Sequence, residues 1–193
     1  MLDSVLDAAL SAHVAVVDDG RPVVVPLGCA RDGDRLLVHG STASRAIRIL
    51  AAGAPTCATV TLLDGVVVAR SQFESSMRYR CAMLFGSFAT LHGPAKEHGL
   101  AVLVESLLPG LDGARPPSAK ELAATAVLAL PLTEWSVKVS DGFPDDDDAD
   151  LDRPVWAGVV PLLRGWGPPV PAPDLRPGVP APPALQNWPP GRG

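Results

Sequence analysis

Along the first 140 residues, apolar positions come in short runs that turn residues separate, and the period of each run predicts an element. Leu2, Val5, Leu6, Ala9 and Leu10 share one stripe, predicting a helix over residues 2–12. His13–Val17 and Pro22–Ala30 are β-branched runs on either side of Asp18-Asp19-Gly20-Arg21, a hairpin signal. Arg31-Asp32-Gly33-Asp34 repeats the device and leads into Arg35–His39. Ser41 or Thr42 then caps a helix to about Ala52. Thr56–Leu63 and Val66–Ser71 flank Asp64-Gly65 as a third hairpin, and Tyr79–Leu91 reads as one long strand.

Residues 94–108 form a helix stopped by Pro109-Gly110, and Ser118 with Glu121 is a capping box for a short helix to about Thr125. Val127–Val139 returns as a strand. About six strands in hairpins, without a βαβ rhythm, predict a mainly β, α+β unit closed into a small antiparallel barrel. Beyond it lie an acidic loop at 141–153 and a segment at 154–176 whose Trp156, Val159, Val160, Leu162, Leu163 and Trp166 call for a covering surface. Residues 177–193 read as a flexible Pro-rich tail, since 13 of the 21 prolines lie between Pro144 and Pro190.

Composition narrows the function classes. The chain has 193 residues, 47% hydrophobic and 19% charged, with a net charge of -5. Seven acids and no bases fall between Asp141 and Asp152, leaving 14 acids against 16 bases elsewhere, too even a balance for a nucleic-acid surface. No apolar run is long enough to span a membrane and the amino terminus lacks a signal-peptide pattern, so a cytoplasmic protein is expected. Cys29, Cys57 and Cys81 form neither a disulfide framework nor a zinc motif, and the Asp145–Asp148 run lacks the alternation of a calcium loop and reads as a solvated loop.

Two segments carry candidate chemistry. In HGSTASR, residues 39–45, a strand ends and a helix begins with an arginine at once, so helix N–H groups, the Ser41 and Ser44 hydroxyls and the Arg45 guanidinium can converge on a phosphate. The alternative is a simple helix cap with Arg45 in solvent. His39 is either a structural residue or a proton donor beside that phosphate. In SSMRYR, residues 75–80, hydroxyls, two arginines and the single tyrosine Tyr79 surround a strand start, where the phenol ring either meets a planar ligand or closes the barrel end.

These segments, in this order, resemble the pyridoxamine 5'-phosphate oxidase-like family of flavin-binding split barrels, in its small flavin-nucleotide-binding branch. The resemblance covers residues 5–176. It is carried by GRPVVVP (20–26), ARDGDRLLVHGSTASR (30–45), TVTLLDGVVVARS (59–71), YRCAMLFG (79–86), ELAATAVLALPLTEWSVKV (121–139) and WAGVVPL (156–162).

The resemblance implies a six-stranded antiparallel split β-barrel that forms a homodimer, with flavin mononucleotide (FMN) in the groove between subunits and a small organic substrate oxidised or reduced there. It places His39, Gly40, Ser41, Ser44 and Arg45 around the flavin phosphate and Ser76, Met77, Tyr79 and Arg80 along the groove, with Trp135 and Lys138 nearby. The chain departs from the family at Leu27-Gly28-Cys29, where a tyrosine is usual, at Glu74 and Ser75 in place of histidines, and at Arg78 in place of asparagine. That rebuilt pocket raises haem as the alternative cofactor, with His13, His39 or Cys29 as axial ligand ahead of His92 and His98; a non-catalytic flavin store or sensor is the third reading. No other metal is expected.

Overall fold

The computed structural model describes residues 1–188. Helix α1 (Leu2–Asp7) leads into strands β1 (Ser11–Asp18), β2 (Arg21–Asp32) and β3 (Arg35–Ser41), followed by α2 (Arg45–Ala51), β4 (Pro55–Val68) and β5 (Ser76–Ser87). A short β6 (Ala89–Thr90), helices α3 (Gly93–Leu107) and α4 (Ala119–Ala124), and strands β7 (Thr125–Pro131), β8 (Glu134–Ser140) and β9 (Gly158–Pro161) complete the strands and α-helices of the described residues.

The first two hairpins form where the sequence predicts them. Asp18 pairs with Arg21 across Asp19 and Gly20, both at positive φ, the two-residue turn whose twist matches that of the strands. Asp32 pairs with Arg35 across Gly33, at φ +62°, and Asp34.

The third hairpin does not form, and this corrects the reading of Asp64-Gly65 as a turn. β4 runs straight through, pairing with β5 from Pro55↔Ser87 to Val67↔Ser76, with a register shift between Leu63 and Gly65. Asp64 is the extra residue of a bulge. Its carboxylate accepts from Arg80 Nε and Nη2 at 2.8 and 2.7 Å, and its carbonyl accepts from Leu162 N at 3.0 Å. Gly65 lets β9 approach, because a Cβ there would stand 2.7 Å from the carbonyl oxygen of Val160.

Val127–Val139 also differs from the single strand expected. β7 pairs with β3, β8 pairs with β5, and the chain bends between them at Leu132-Thr133. Counted as two legs of one bent strand, β7 and β8 close a six-membered antiparallel ring, β1-β2-β3-(β7,β8)-β5-β4. β6 and β9 are short additions, pairing with β7 and β4. The strand expected over Tyr79–Leu91 breaks at Phe88, between β5 and β6, and α1 stops at Asp7 so that Ser11 and Ala12 enter β1.

The barrel interior holds Leu6, Val14, Leu36, Val38, Ile47, Leu50, Val60, Leu84, Leu128 and Leu130. A second cluster of Ala30, Leu37, Leu103, Val127 and Ala129 lies between α3 and the outer face of β3 and β7. β3 is therefore apolar on both faces, which is why its sequence does not alternate.

The acidic loop is not simply solvated. The Asp146 side chain is 1% exposed and accepts from the N–H groups of Arg70 and Ser71 and from the Arg70 guanidinium, which together hold its carboxyl below the usual range. Arg78 donates to the carbonyls of Asp141 and Gly142 and lies 5.2 Å from the centre of the Phe143 ring. After β9 the described residues form no further strand, only turns and a short 3-10 helix (Pro183–Asn187), with Leu163 and Val170 nearly nine-tenths exposed. Of the expected flexible tail, residues 189–193 lie outside the described residues.

Candidate functional site

Helix α2 begins at Arg45 with Ser44 as N-cap, three residues later than the earliest cap the sequence offers. The hydroxyls proposed as caps have other partners: Ser41 Oγ accepts from Ala43 N at 3.2 Å and Thr42 Oγ1 donates to the carbonyl of Ala124 at 3.2 Å. Gly40 is required here, since a Cβ would stand 2.7 Å from Ile47 Cγ1 and push α2 off the barrel. Ser41, Ser44 and Arg45 thus lie together at the end of β3, beside the β1–β2 turn.

The Arg45 guanidinium is already engaged. Its Nε donates to Asp18 Oδ1 at 2.8 Å and its Nη2 to Asp19 Oδ2 at 2.6 Å, and these carboxylates raise its pKa. An anion at the start of α2 would exchange with them. Arg48, one turn on, is exposed and has no ion-pair partner among the described residues.

His39 points outward from β3, exposed, with no hydrogen-bond or ion-pair partner among the described residues. His13 is exposed on β1, likewise unpartnered, opposite Pro26 and Thr59. His98 Nε2 is tied to Asp32 Oδ1 at 3.3 Å, and His92 is the N-cap of α3. Cys29 faces the barrel interior and is 4% exposed, so its sulfur does not reach a haem on the outer surface; this corrects its candidacy as an axial ligand.

At the other segment, Ser76, Met77, Tyr79 and Arg80 begin β5. Met77 is half exposed opposite Val66, and Tyr79 stands opposite Leu63 on the outer sheet face. Lys138 on β8 lies with its Nζ 5.6 Å from the centre of the Tyr79 ring, and the hydrogen bond to the phenol raises its pKa. Trp135 is half exposed, opposite Leu84. Arg80 does not project freely but is paired with Asp64, whose carboxyl it holds below the usual range.

The register keeps these groups apart within one chain. Ala15 pairs with Cys57 and Leu63 with Tyr79, so three residues of β1 and six of β4 separate Asp18 from Tyr79, roughly 30 Å of strand. The arginine end and the tyrosine end lie at opposite ends of the barrel. Among the described residues no cluster of three or more His, Cys, Asp or Glu is set to hold a metal ion.

Residues 1–139 match the family described as pyridoxamine 5'-phosphate oxidase. The chain belongs to that family. No curated protein matches it. Among solved structures, the FAD and heme binding protein from Mycobacterium smegmatis is 50% identical, with a TM-score of 0.90 over 96% of this chain and 92% of its own. The flavocytochrome Anf3 from Azotobacter vinelandii is 40% identical, with a TM-score of 0.88 over 95% of this chain and 86% of its own. Both likenesses run past the barrel into the Pro-rich region, which the family match does not reach.

Sequence reasoning missed the carboxylates that pair with the candidate arginines. Asp18 and Asp19 read as turn residues and Asp64 as half of a turn dipeptide, and nothing local tells a turn aspartate from an ion-pair partner. Asp146 was hidden for a similar reason, because its run of like residues suggests only solvation.

Proposed function

We propose that this family member is a flavin- and haem-binding redox protein that works as a homodimer. The observation that carries the reading is the 50% identity, sustained over 96% of the chain, to a solved protein named for binding FAD and haem. FAD is the first flavin to test and FMN the second.

The residues present fit both groups. Ser41, Ser44, Arg45 and Arg48 offer donors and charge to a nucleotide phosphate, and the outward-facing His13 and His39 are unpartnered imidazoles of the kind that ligate iron. The separation of the arginine and tyrosine ends supports a groove shared between subunits, in which one chain's α2 end meets the other chain's Tyr79 and Lys138. The apolar residues left exposed on a single chain, Met77, Val66, Val160 and Trp166 among them, support the same arrangement.

A bound flavin exchanges electrons in pairs or singly, and a haem takes them singly. The protein's own part is to bind, orient and exclude water. Lys138 keeps its proton beside the Tyr79 phenol and holds a fixed positive charge over the outer sheet face. An oxidoreductase acting on a small substrate follows from the pairing of redox groups, and a reducing cytoplasm agrees with the free thiols of Cys57 and Cys81. Among the described residues no helix is long and apolar enough to cross a membrane.

The experiment is an absorption spectrum of the purified protein, repeated after adding FAD, FMN and haemin in turn. Flavin bands together with a Soret band are expected. Flavin bands alone would reduce the reading to a flavoprotein, and neither signature after reconstitution would overturn it.

A further inference from the structure

Within the strands and helices, glycine usually has a visible cause. Gly40, Gly65, Gly99 and Gly158 stand where a Cβ would come within 3.1 Å of another atom, Gly86 and Gly93 have positive φ, and Gly28 has neither. Gly28 sits in β2, and a Cβ there would meet only His39 Nε2, at an ordinary 3.6 Å. Glycine inside a strand costs entropy and packing, and where the fold does not demand it, it marks the close approach of a ligand or another backbone.

The surroundings indicate which ligand. Along β2, Val24, Pro26 and Gly28 face outward while Val25 and Leu27 pack on the core, giving a strip without charge. Cys29 pairs with Val38, so Gly28 and His39 are the next neighbours along that edge. α3 covers the same face one step further on, where Leu103 packs with Leu37 and Val127 and a Cβ at Gly99 would crowd Val127, the register partner of His39. His39 therefore stands where the cover of α3 ends and the uncharged strip begins, with its Nε2 over the one position that lacks a side chain. A flat, apolar ring system with a metal at its centre suits that setting: a floor without side-chain bulk and one unpartnered imidazole at its edge.

We propose that the face formed by Gly28 and His39 seats an iron porphyrin, with the His39 imidazole as an axial ligand. This rests on the haem-binding reading above and names its site. It also gives a reason for the departure at Leu27-Gly28-Cys29, where a bulkier wall would occupy the seat.

The test is haemin titration of the full-length protein, followed by absorption and electron paramagnetic resonance. His39→Ala is expected to weaken haemin binding on the order of tenfold or more and to lose the wild-type Soret position, and free imidazole should restore that position. Gly28→Val, which suits a strand, should weaken haemin binding with His39 intact, and His13→Ala should keep the wild-type spectrum. A wild-type spectrum and affinity in His39→Ala, or their loss in His13→Ala instead, overturns the site while leaving haem binding standing. Failure of the wild-type protein to take up haemin overturns the haem reading itself.

Discussion

Arg45 donates its Nε to Asp18 at 2.8 Å, so the cation best placed for a phosphate at the start of α2 is neutralised within its own chain. Anion binding there is an exchange, in which phosphate oxygens replace carboxylates of the β1–β2 turn.

Arg45→Ala is expected to weaken flavin binding by removing a charge-assisted hydrogen bond to the phosphate, a loss moderated by the carboxylates that the guanidinium must leave. Asp18→Asn should act in the opposite direction by releasing the guanidinium. Fluorescence titration of flavin into both variants is the measurement, and equal affinities in wild type and Arg45→Ala would remove α2 from the binding site.

The bulge at Asp64 separates a weak contribution from a strong one. Asp64 and Arg80 are each a little over one-third exposed, so Asp64→Asn should cost no more than about 1 kcal/mol of stability. Gly65→Ala puts a Cβ 2.7 Å from a backbone oxygen of β9 and should cost about 1 to 3 kcal/mol. Urea denaturation of both variants checks the order, and a larger loss in Asp64→Asn would contradict it.

Glu121 supplies a pH dependence. Arg115 donates to both of its oxygens and Ser118 completes the capping box, holding its carboxyl at about 2 against an ordinary 4.5. The folded-state value is the lower one, so the stabilisation is complete above pH 4.5 and is lost as pH falls towards 2. Glu121→Gln should flatten the acid limb of the stability curve across that window, measured by thermal melts at stepped pH.

Light scattering at micromolar concentration is expected to give twice the mass of one chain. Leu163→Ser with Trp166→Ser should shift the population towards monomer without unfolding the barrel, because both side chains are exposed on a single chain. A monomer in the wild-type protein would contradict the shared groove.

The parts of the fold visible in the sequence are those with local causes. Asp19-Gly20 and Gly33 make their turns with their own backbone conformations, and the Ser118–Glu121 box closes within one turn of helix. Asp64-Gly65 shows the same dipeptide in a different role, because its conformation is set by Arg80 and by β9, which arrive from 16 and about 95 residues away. The bend between β7 and β8 escaped for a related reason: each leg is chosen by a different partner strand. At the candidate site, the residue types around His39 and Arg45 were legible, but the partners of Arg45 and the burial of Cys29 were properties of the folded chain.

The closed ring also sets an order of events in folding. β1, β2 and β3 are joined by two-residue turns and need little loop closure to pair. Leu37, however, meets Ala129 across 92 residues of sequence, and Tyr79 meets Ser140 across 61. Such distant pairings carry most of the entropic cost of closure and form slowly. During synthesis the hairpins can assemble early, but the barrel has no closing strand until residue 140 has left the ribosome, and until then the edges of β3 and β5 stand open to other chains.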